Sequence, residues 1–501
     1  MNAERREQVR SNARYLRNVR PLDPDEIAEY VEGQPHPAVV RQVLREEAAS
    51  LDLVERDDGT FVPVDDDPVS PAFAGVEAFP DEYARALEDL LVERVGPDWH
   101  AGESGDGLRA TIRTLKDDYF RNEPVEYDDL AALGYAIYHL PDNYAVAQYV
   151  LHELAEPGLV GRRLRILDVG AGVGGPALGV HDYLPADALV EYEAVEPSAA
   201  ADVFEALVAE TGRNFHPELH RTTAEAFAPG APDDGEATGA SGSERTYDLI
   251  LFANVLNELD DPESVVSRYL DFLADDGTLV AIEPADRETA IGLRAVERAV
   301  ADEAGAATVF APTLRLWPGE RPTDRGWSFD VKPDLAVPSF QRKLDEGASE
   351  SDDGVGRSDA TPATGEFVNV DVQFAYSLLR TDGRRKLDFR ADPDRSAKMA
   401  EMDRHVTHRI DLVAVKLSHS LADDDPATER DPNPVFKVSD GSESTDHFAV
   451  LTDETSLNAD LRTADYGDLL SVERALVLWN DDEAAYNLVV DEETVVDRIP
   501  A

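Results

Sequence analysis

A carboxylate stands just ahead of a glycine-rich turn in the segment RILDVGAGVGG, where Asp168 precedes Gly170 by two positions. A turn of this kind after a first parallel strand lets a ligand approach the backbone closely and presents a helix N-terminus to it. Gly170 and Gly172 fit one glycine pattern with Gly174 and another with Gly175. The glycine spacing alone therefore does not decide which nucleotide-like ligand binds.

The charge of Asp168 favours a cationic ligand over a dinucleotide. Strands that bind dinucleotides usually carry an apolar residue there, because a carboxylate would repel the pyrophosphate. S-adenosylmethionine carries a sulfonium and an α-ammonium group, and an aspartate at the end of the first strand can bind the ammonium side directly or through water. We therefore expect S-adenosylmethionine as the cofactor.

Alternating apolar and helical segments predict the elements that would position this turn. The apolar runs LRILDVG, LVEYEAVEP, YDLILFANVL and GTLVAIEP lie between residues 164 and 283 and are separated by helical stretches. Short buried strands that alternate with helices are typical of a parallel sheet covered on both faces. The sequence thus predicts an α/β domain of the Rossmann-like type.

The motif ILDVGAGVGG resembles the first motif of the class I S-adenosylmethionine-dependent methyltransferases. The resemblance implies that Glu196, in EAVEPS, accepts hydrogen bonds from the ribose hydroxyls, and that Glu225, in TTAEAF, contacts adenine. It also implies that Asn254, in LILFANVLNEL, lies beside the methyl-transfer position. The expected cofactor-binding residues are Asp168, Gly170, Gly172, Gly174, Glu196, Glu225 and Asn254; no catalytic residue is assigned, and no metal site is expected.

A narrower resemblance covers roughly residues 80 to 380 and, more weakly, the C-terminal β region. YAIYHLPDNYAVAQYVLHEL, NVLNEL, GTLVAIEP and FAYSLL are similar to the methyltransferase-like family associated with the mitochondrial small ribosomal subunit and its bacterial and archaeal relatives. The resemblance implies a role in small-subunit assembly. Many relatives bind an iron-sulfur cluster through cysteines after the fifth strand, but this chain has no cysteine, so we expect no cluster.

The composition is strongly acidic. The 501 residues include 103 acidic and 47 basic side chains, of which only seven are lysine, and the formal net charge is -56. This bias predicts a halophile's protein, because molar salt shortens the Debye length to roughly 3 Å. The N-terminus has no apolar signal segment and no membrane span is evident, so we expect a cytoplasmic protein.

The length predicts two to four domains. We expect an arginine-rich arm and a winged helix over residues 1–75, a helical cap over 76–160, the methyltransferase domain over 161–380, and a β domain of the oligonucleotide-binding (OB) type over 381–501. Two acidic, low-complexity insertions are predicted within the methyltransferase domain, at 229–245 and 345–366.

Two basic clusters are candidate contacts with the small ribosomal subunit or its RNA. The arginines of the arm lie along one stripe if the arm is helical, which suits either a phosphate backbone or docking on the protein's own acidic surface. A second cluster follows the predicted strand FAYSLL. The candidate contacts are Arg6, Arg10, Arg14, Arg17, Arg384, Arg385 and Lys386.

Three functions follow from the sequence. The first is a methyltransferase, or methyltransferase-like protein, that acts on the small ribosomal subunit or assembles it. The second is an assembly factor that keeps the fold without catalysis, since no catalytic motif is evident in the sequence. NVLNEL also lacks the Asn-Pro-Pro-Tyr type of motif, which argues against an adenine or glutamine amide as the methyl acceptor. The third is a small-molecule methyltransferase, which the negative charge favours. The absence of cysteine argues against C5-methylation of pyrimidines, which commonly needs a cysteine nucleophile.

Overall fold

The computed structural model describes residues 1–121, 127–229, 246–352, 365–422 and 433–500; the side chains of Phe120 and of residues 349–352 are not described. The predicted acidic insertions lie outside the described residues over 230–245 and 353–364. The chain forms two compact units. The first contains Met1–Leu251 and Pro333–Val372, and the second contains Phe252–Lys332 and Gln373–Ala501.

The first unit begins with a small helical module that ends in a hairpin. Val9, Leu44 and Phe61 belong to its buried core. The two strands pair antiparallel, with Glu55 opposite Phe61. Helices followed by a hairpin are the element order that the sequence predicts for a winged helix. The elements are α1 (Ala3–Leu16), α2 (Pro24–Glu29), α3 (Pro37–Glu46), α4 (Ala48–Leu51), β1 (Leu53–Glu55) and β2 (Phe61–Pro63).

Three helices follow, and a fourth returns to the first unit later in the chain. They are α5 (Asp81–Arg94), α6 (Gly102–Arg121), α7 (Asp129–Ala155) and, after the segment assigned to the second unit, α12 (Ser339–Asp352). Helix α7 has 27 residues, and the Asp128 side chain caps its N-terminus by accepting from two backbone N–H groups. Gln341 of α12 is fully buried and donates to the carbonyl of Ile137 in α7 at 2.9 Å.

The sheet of the first unit carries strands in the order β5-β4-β3-β6. Strand β4 pairs in parallel with both β3 and β5, and Asp168 lies opposite Ala194 in the β3–β4 register. The residues of β6 after Leu251 belong to the second unit. The elements are β3 (Arg163–Val169), α8 (Gly175–Tyr183), β4 (Leu189–Val195), α9 (Ala200–Val208), β5 (Phe215–His220) and β6 (Tyr247–Ala253).

Helices α7 and α8 pack closely because glycines of α8 face α7. A Cβ on Gly179 would lie 2.4 Å from the carbonyl oxygen of Tyr144 and 3.0 Å from the Cβ of Ala147. A Cβ on Gly175 would lie 2.7 Å from the Cβ of Asn143. The glycine-rich segment therefore shapes the helix packing as well as the turn.

The second unit contains an antiparallel sheet portion in which β10 pairs with β7 on one side and with β8 on the other. Arg294 of α11 is buried and bonds both Glu297 and the carbonyl of Tyr376. The elements are α10 (Pro262–Leu270), β7 (Leu273–Pro284), α11 (Arg287–Arg298), β8 (Thr308–Ala311), β9 (Asp330–Lys332) and β10 (Val372–Arg380).

The rest of the second unit is a small β-barrel. Its strands are β11 (Arg409–Lys416), β12 (Val435–Ser439), β13 (His447–Leu451), β14 (Leu469–Asn480), β15 (Ala485–Val490) and β16 (Val495–Ile499), and α13 (Asp460–Thr463) lies between β13 and β14. Strands β11-β12-β13-β15-β14 are hydrogen-bonded in this order, and β11 also pairs with β14. Five strands closed in this way resemble an OB barrel.

The predicted fold class is confirmed: a Rossmann-like α/β domain is combined with a small C-terminal β domain. Over the part of the chain that the structure describes, no helix is both long enough and apolar enough to cross a membrane.

Candidate functional site

The glycine turn joins β3 to α8 and adopts a backbone that L side chains rarely adopt. Gly170, Gly172 and Gly174 have φ values of 76°, 53° and 94°. The N–H groups of Gly170 and Ala171 both donate to the carbonyl of Val195, at 2.8 and 3.1 Å. The end of β4 thus holds the turn, and α8 begins directly after it at Gly175.

Asp168 lies beneath this turn and is completely buried. Its Oδ2 accepts a hydrogen bond from the hydroxyl of Tyr192 at 2.7 Å, while Oδ1 is buried without a partner among the described residues. Burial raises the pKa of the Asp168 carboxyl to about 7; the hydrogen bond from Tyr192 opposes this rise and the charge of Glu196 adds to it. A positive charge near Oδ1 would favour the ionised form.

Glu196 follows β4 directly and connects the turn to the next loop. Its Oε2 accepts from the N–H of Gly172 at 2.9 Å, and its Oε1 accepts from the N–H of Ser198 at 2.8 Å. The N–H of Glu196 donates to the carbonyl of His220 at the end of β5, at 3.0 Å. The sequence-predicted residues Asp168, Gly172 and Glu196 therefore meet at the carboxyl ends of neighbouring strands.

The residues of the turn fit an S-adenosylmethionine site on two observations. A Cβ built on Gly172 would meet no heavy atom within 4 Å among the described residues other than its chain neighbours, so open space adjoins the turn. Oδ1 of Asp168, which no described residue bonds, supplies an acceptor below the same turn. Because Asp168 exposes no surface, a contact with an ammonium group through bridging water is favoured over a direct one.

Glu225 and Asn254 follow other strands, β5 and β6. Glu225 is exposed in a turn that follows β5. Asn254 follows β6 in the second unit, is half-buried, and has a φ of 57°. Its N–H donates to the carbonyl of Ile282 at 2.8 Å. Asparagine tolerates this left-handed backbone better than most residues, which gives Asn254 a structural role beside the predicted one.

Two buried side chains, one in β4 and one in β7, were missed by the sequence analysis. Tyr192 lies two residues before Ala194 in β4, and no local sequence signal indicates its bond to Asp168, because β4 also carries the polar residues Glu191 and Glu193. In the second unit, Glu283 ends β7 and accepts from the N–H of Leu256 at 2.9 Å, while its Oε2 is buried and unpartnered among the described residues. Burial raises the pKa of Glu283 to about 8.

The arginines of α1 are largely engaged by acidic residues of the same module. Arg6 bonds Glu46 at 2.5 Å. Arg10 bonds both oxygens of Glu47, at 2.7 and 3.1 Å. Similarly, Arg17 bonds the Leu51 carbonyl and Asp52, whereas Arg14 is exposed. These contacts correspond to docking on the protein's own acidic surface, the second of the two roles considered for this stripe.

Within the described ranges, no three or more histidine and carboxylate side chains are grouped so that they could hold a metal ion. The site therefore consists of a glycine turn, a buried carboxylate and an acidic strand end. Together with the parallel sheet, these features define a Rossmann-like α/β domain.

Three family models match separate parts of the chain. Residues 138–336 match a methyltransferase domain. Residues 6–57 match the N-terminal domain, and residues 400–499 the C-terminal domain, of a domain of unknown function, DUF8157. A search of curated proteins gave no match.

Solved methyltransferases are similar to the chain at low identity. The plantazolicin methyltransferase BamL, solved with a triazolic desmethylPZN analog and SAH, is 10% identical, with a TM-score of 0.27 over 60% of this chain and 99% of its own. The mitomycin 7-O-methyltransferase MmcR is 16% identical, with a TM-score of 0.23 over 56% and 76%. A protein named "putative methyltransferase", from Thermoplasma acidophilum, is 12% identical, with a TM-score of 0.25 over 46% of this chain and 70% of its own.

Proposed function

We propose that the chain is an S-adenosylmethionine-dependent methyltransferase whose cofactor binds at the glycine turn of the first unit. The observation that supports this most directly is that Oδ1 of Asp168 has no partner among the described residues, beneath a turn that these residues leave open at Gly172. The methyltransferase-domain match over residues 138–336 points the same way.

The four predicted carboxylate and amide residues have distinct roles in this proposal. Asp168 orients the ammonium end of the cofactor through water, and its negative charge is stabilised when that cation is present. Glu196 exchanges its backbone partners at Gly172 and Ser198 for the ribose hydroxyls. Glu225 contacts adenine, and Asn254 lies at the methyl-transfer position. Bound S-adenosylmethionine would supply an electrophilic methyl group.

The chain contributes to the reaction mainly by alignment. Transfer of a methyl group is an in-line displacement, and holding donor and acceptor in the reacting geometry supplies much of the acceleration. The buried hydrogen bond from Tyr192 fixes the Asp168 carboxyl, and Val195 fixes the turn above it. Because this mechanism does not require a general base, the lack of an assigned catalytic residue is compatible with it.

We further propose that the methyl acceptor belongs to the small ribosomal subunit. This rests on the resemblance of YAIYHLPDNYAVAQYVLHEL and the other segments quoted above. Arg14, Arg384 and Arg385 are exposed, and Lys386 is partly exposed, so these four side chains can reach an RNA backbone. The remaining arm arginines would first have to leave the carboxylates that they bind.

The first test is a calorimetric titration of the full chain with S-adenosylmethionine in molar KCl. We expect binding by the wild type and a loss of at least about tenfold in affinity for Asp168→Ala. The matched control is Asp187→Ala, which removes an exposed carboxylate paired with Arg162 on the surface of the same unit. No binding by a folded wild type would contradict the proposal.

The second test addresses the acceptor. Small-subunit particles from cells that lack the protein are incubated with the purified chain and methyl-labelled cofactor. We expect label in the particles with the wild type and none with the double variant Asp168→Ala, Gly172→Arg. Labelling of small molecules but not of particles would refute the ribosomal acceptor and leave the methyltransferase proposal intact.

A second candidate is an assembly factor without catalysis. It is favoured by the absence of an evident catalytic motif in the sequence, including the segment after β6, where Leu256–Glu258 forms a short 3-10 helix. In this case, the double variant Asp168→Ala, Gly172→Arg would restore growth to a deletion strain as well as the wild type does.

A further inference from the structure

The second unit contains a polar cleft of about 330 Å³, and the proposed function uses only one of its lining residues, Arg385, as an RNA contact. Arg315, Arg385 and Arg390 line it, together with Trp317 and two carboxylates, Asp302 and Glu320. Three guanidinium groups around one cleft are unexpected in a chain with a net charge of -56. The pairing of each charge decides what the cleft can bind.

On one side of the cleft, acidic neighbours neutralise the charge of Arg315. The Arg315 side chain is 7% exposed and bonds Asp302 through Nε at 3.0 Å and Nη2 at 2.5 Å. Its Nη1 bonds Glu297 at 3.0 Å. These two carboxylates balance the positive charge of Arg315. Arg315 therefore adds little net charge to the cleft and acts mainly as a rigid hydrogen-bonding group.

The carboxylate of Glu320 is also balanced. Lys398 bonds Glu320, and its ammonium group lies 5.5 Å from the centre of the Trp317 ring. The indole N–H of Trp317 donates to Asp440 at 2.8 Å, which fixes the ring. The acidic residues that line the cleft are therefore already occupied by cations.

Arg385 and Arg390 are the two cations of the cleft whose side chains have no carboxylate partner among the described residues. Two backbone hydrogen bonds hold the segment that carries them. The N–H of Lys386 donates to Phe310 at 2.9 Å, and the N–H of Ala391 donates to Leu316 at 2.8 Å. This segment therefore runs beside residues 310–316 with both guanidinium groups at the same cleft.

We propose that this cleft binds a phosphate group through Arg385 and Arg390. Guanidinium groups form paired, charge-assisted hydrogen bonds with phosphate oxygens, and such close contacts persist at salt concentrations that screen longer-range attraction. The volume lies within the range of about 300–1,000 Å³ that is usual for small-molecule sites. The phosphate belongs either to a free nucleotide or to an RNA backbone.

The proposal is tested by calorimetry on the full chain in about 2 M KCl, where non-specific attraction is screened. Three probes are used: inorganic phosphate, uridine monophosphate and a single-stranded uridine oligonucleotide of about twelve residues. We expect the double variant Arg385→Ala, Arg390→Ala to bind at least about tenfold more weakly than the wild type. The double variant Arg385→Lys, Arg390→Lys should recover only part of the affinity, because lysine cannot form the paired bonds.

Arg395→Ala is the matched control, since it removes an exposed arginine from the same connecting segment without touching the cleft. Tighter binding of the oligonucleotide than of the monophosphate would identify an RNA backbone as the source, and equal binding would identify a free nucleotide. No binding of any probe by the folded wild type, or equal binding by the double variant, would overturn the proposal. Titration of the same variants with S-adenosylmethionine tests the proposed function separately.

Discussion

Asp168 carries an electrostatic penalty that a cofactor can remove. Its carboxyl group is fully buried with one oxygen unpartnered among the described residues, and burial raises its pKa to about 7. In the free protein, much of the Asp168 population is therefore protonated near neutral pH. A nearby cation favours the ionised form, so cofactor binding and proton release are linked.

This linkage predicts the pH dependence of cofactor binding. Between about pH 5.5 and 7.5, where the cofactor's ammonium group stays charged, affinity should rise with pH by at most about tenfold per unit and level off above the pKa of Asp168. Calorimetric titrations across this range check the slope. The slope should disappear in Asp168→Asn, and a wild-type affinity that is flat or falls with pH would contradict the assigned role.

The same carboxyl group predicts a pH-dependent gain in stability for Asp168→Asn. An acid whose pKa is higher in the folded than in the unfolded state destabilises the fold increasingly as pH rises, here from about 4 to about 7. The asparagine variant has no such penalty. Its advantage in melting temperature over the wild type, measured without cofactor, should therefore grow from about pH 5.5 to about pH 8. An advantage that shrank with pH would rule out a raised pKa.

At the scale of elements, the contact between α7 and α8 depends on the absence of a side chain. A Cβ on Gly179 would approach the carbonyl oxygen of Tyr144 to 2.4 Å. Gly179→Ala should therefore destabilise the protein by about 1–3 kcal/mol, as expected for overpacking. Thermal or denaturant unfolding measures the change.

Gly292→Ala is the matched control for this prediction. Gly292 lies in α11, and a Cβ there would meet no heavy atom within 4 Å among the described residues. Replacing Gly292 by alanine should stabilise the protein by about 0.5–1 kcal/mol, because alanine is a better helix former than glycine. Equal effects at the two positions would contradict a specific role for the α7–α8 contact.

Local patterns predict some of these elements and not others. The positions of Asp168 and Glu196 at strand ends follow from short apolar runs and a glycine turn, which are local in sequence. The parallel pairing of β13 with β15 joins strands separated by β14 and is not visible in any short window. The bonds from Arg6 and Arg10 to Glu46 and Glu47 likewise depend on how α1 and α3 pack, and a charge count along α1 cannot reveal them.

At the scale of the whole molecule, the excess of 56 negative charges should make stability depend on salt. Self-repulsion opposes the folded state when the Debye length is long and weakens as salt screens it. The melting temperature should increase as KCl is raised from about 0.2 M to about 2 M. A parallel series with a neutral osmolyte separates screening from solute exclusion, and a melting temperature that is independent of KCl would argue against a halophilic protein.

The first unit is built from two separated stretches of the chain, and this has a consequence for the order of synthesis. Pro333–Val372 belongs to the first unit, although Phe252–Lys332 belongs to the second. A nascent chain that has passed Leu251 still lacks Phe340 and Gln341, both fully buried in the finished protein. The ribosome must therefore translate part of the second unit while the face of α7 that receives Gln341 remains uncovered.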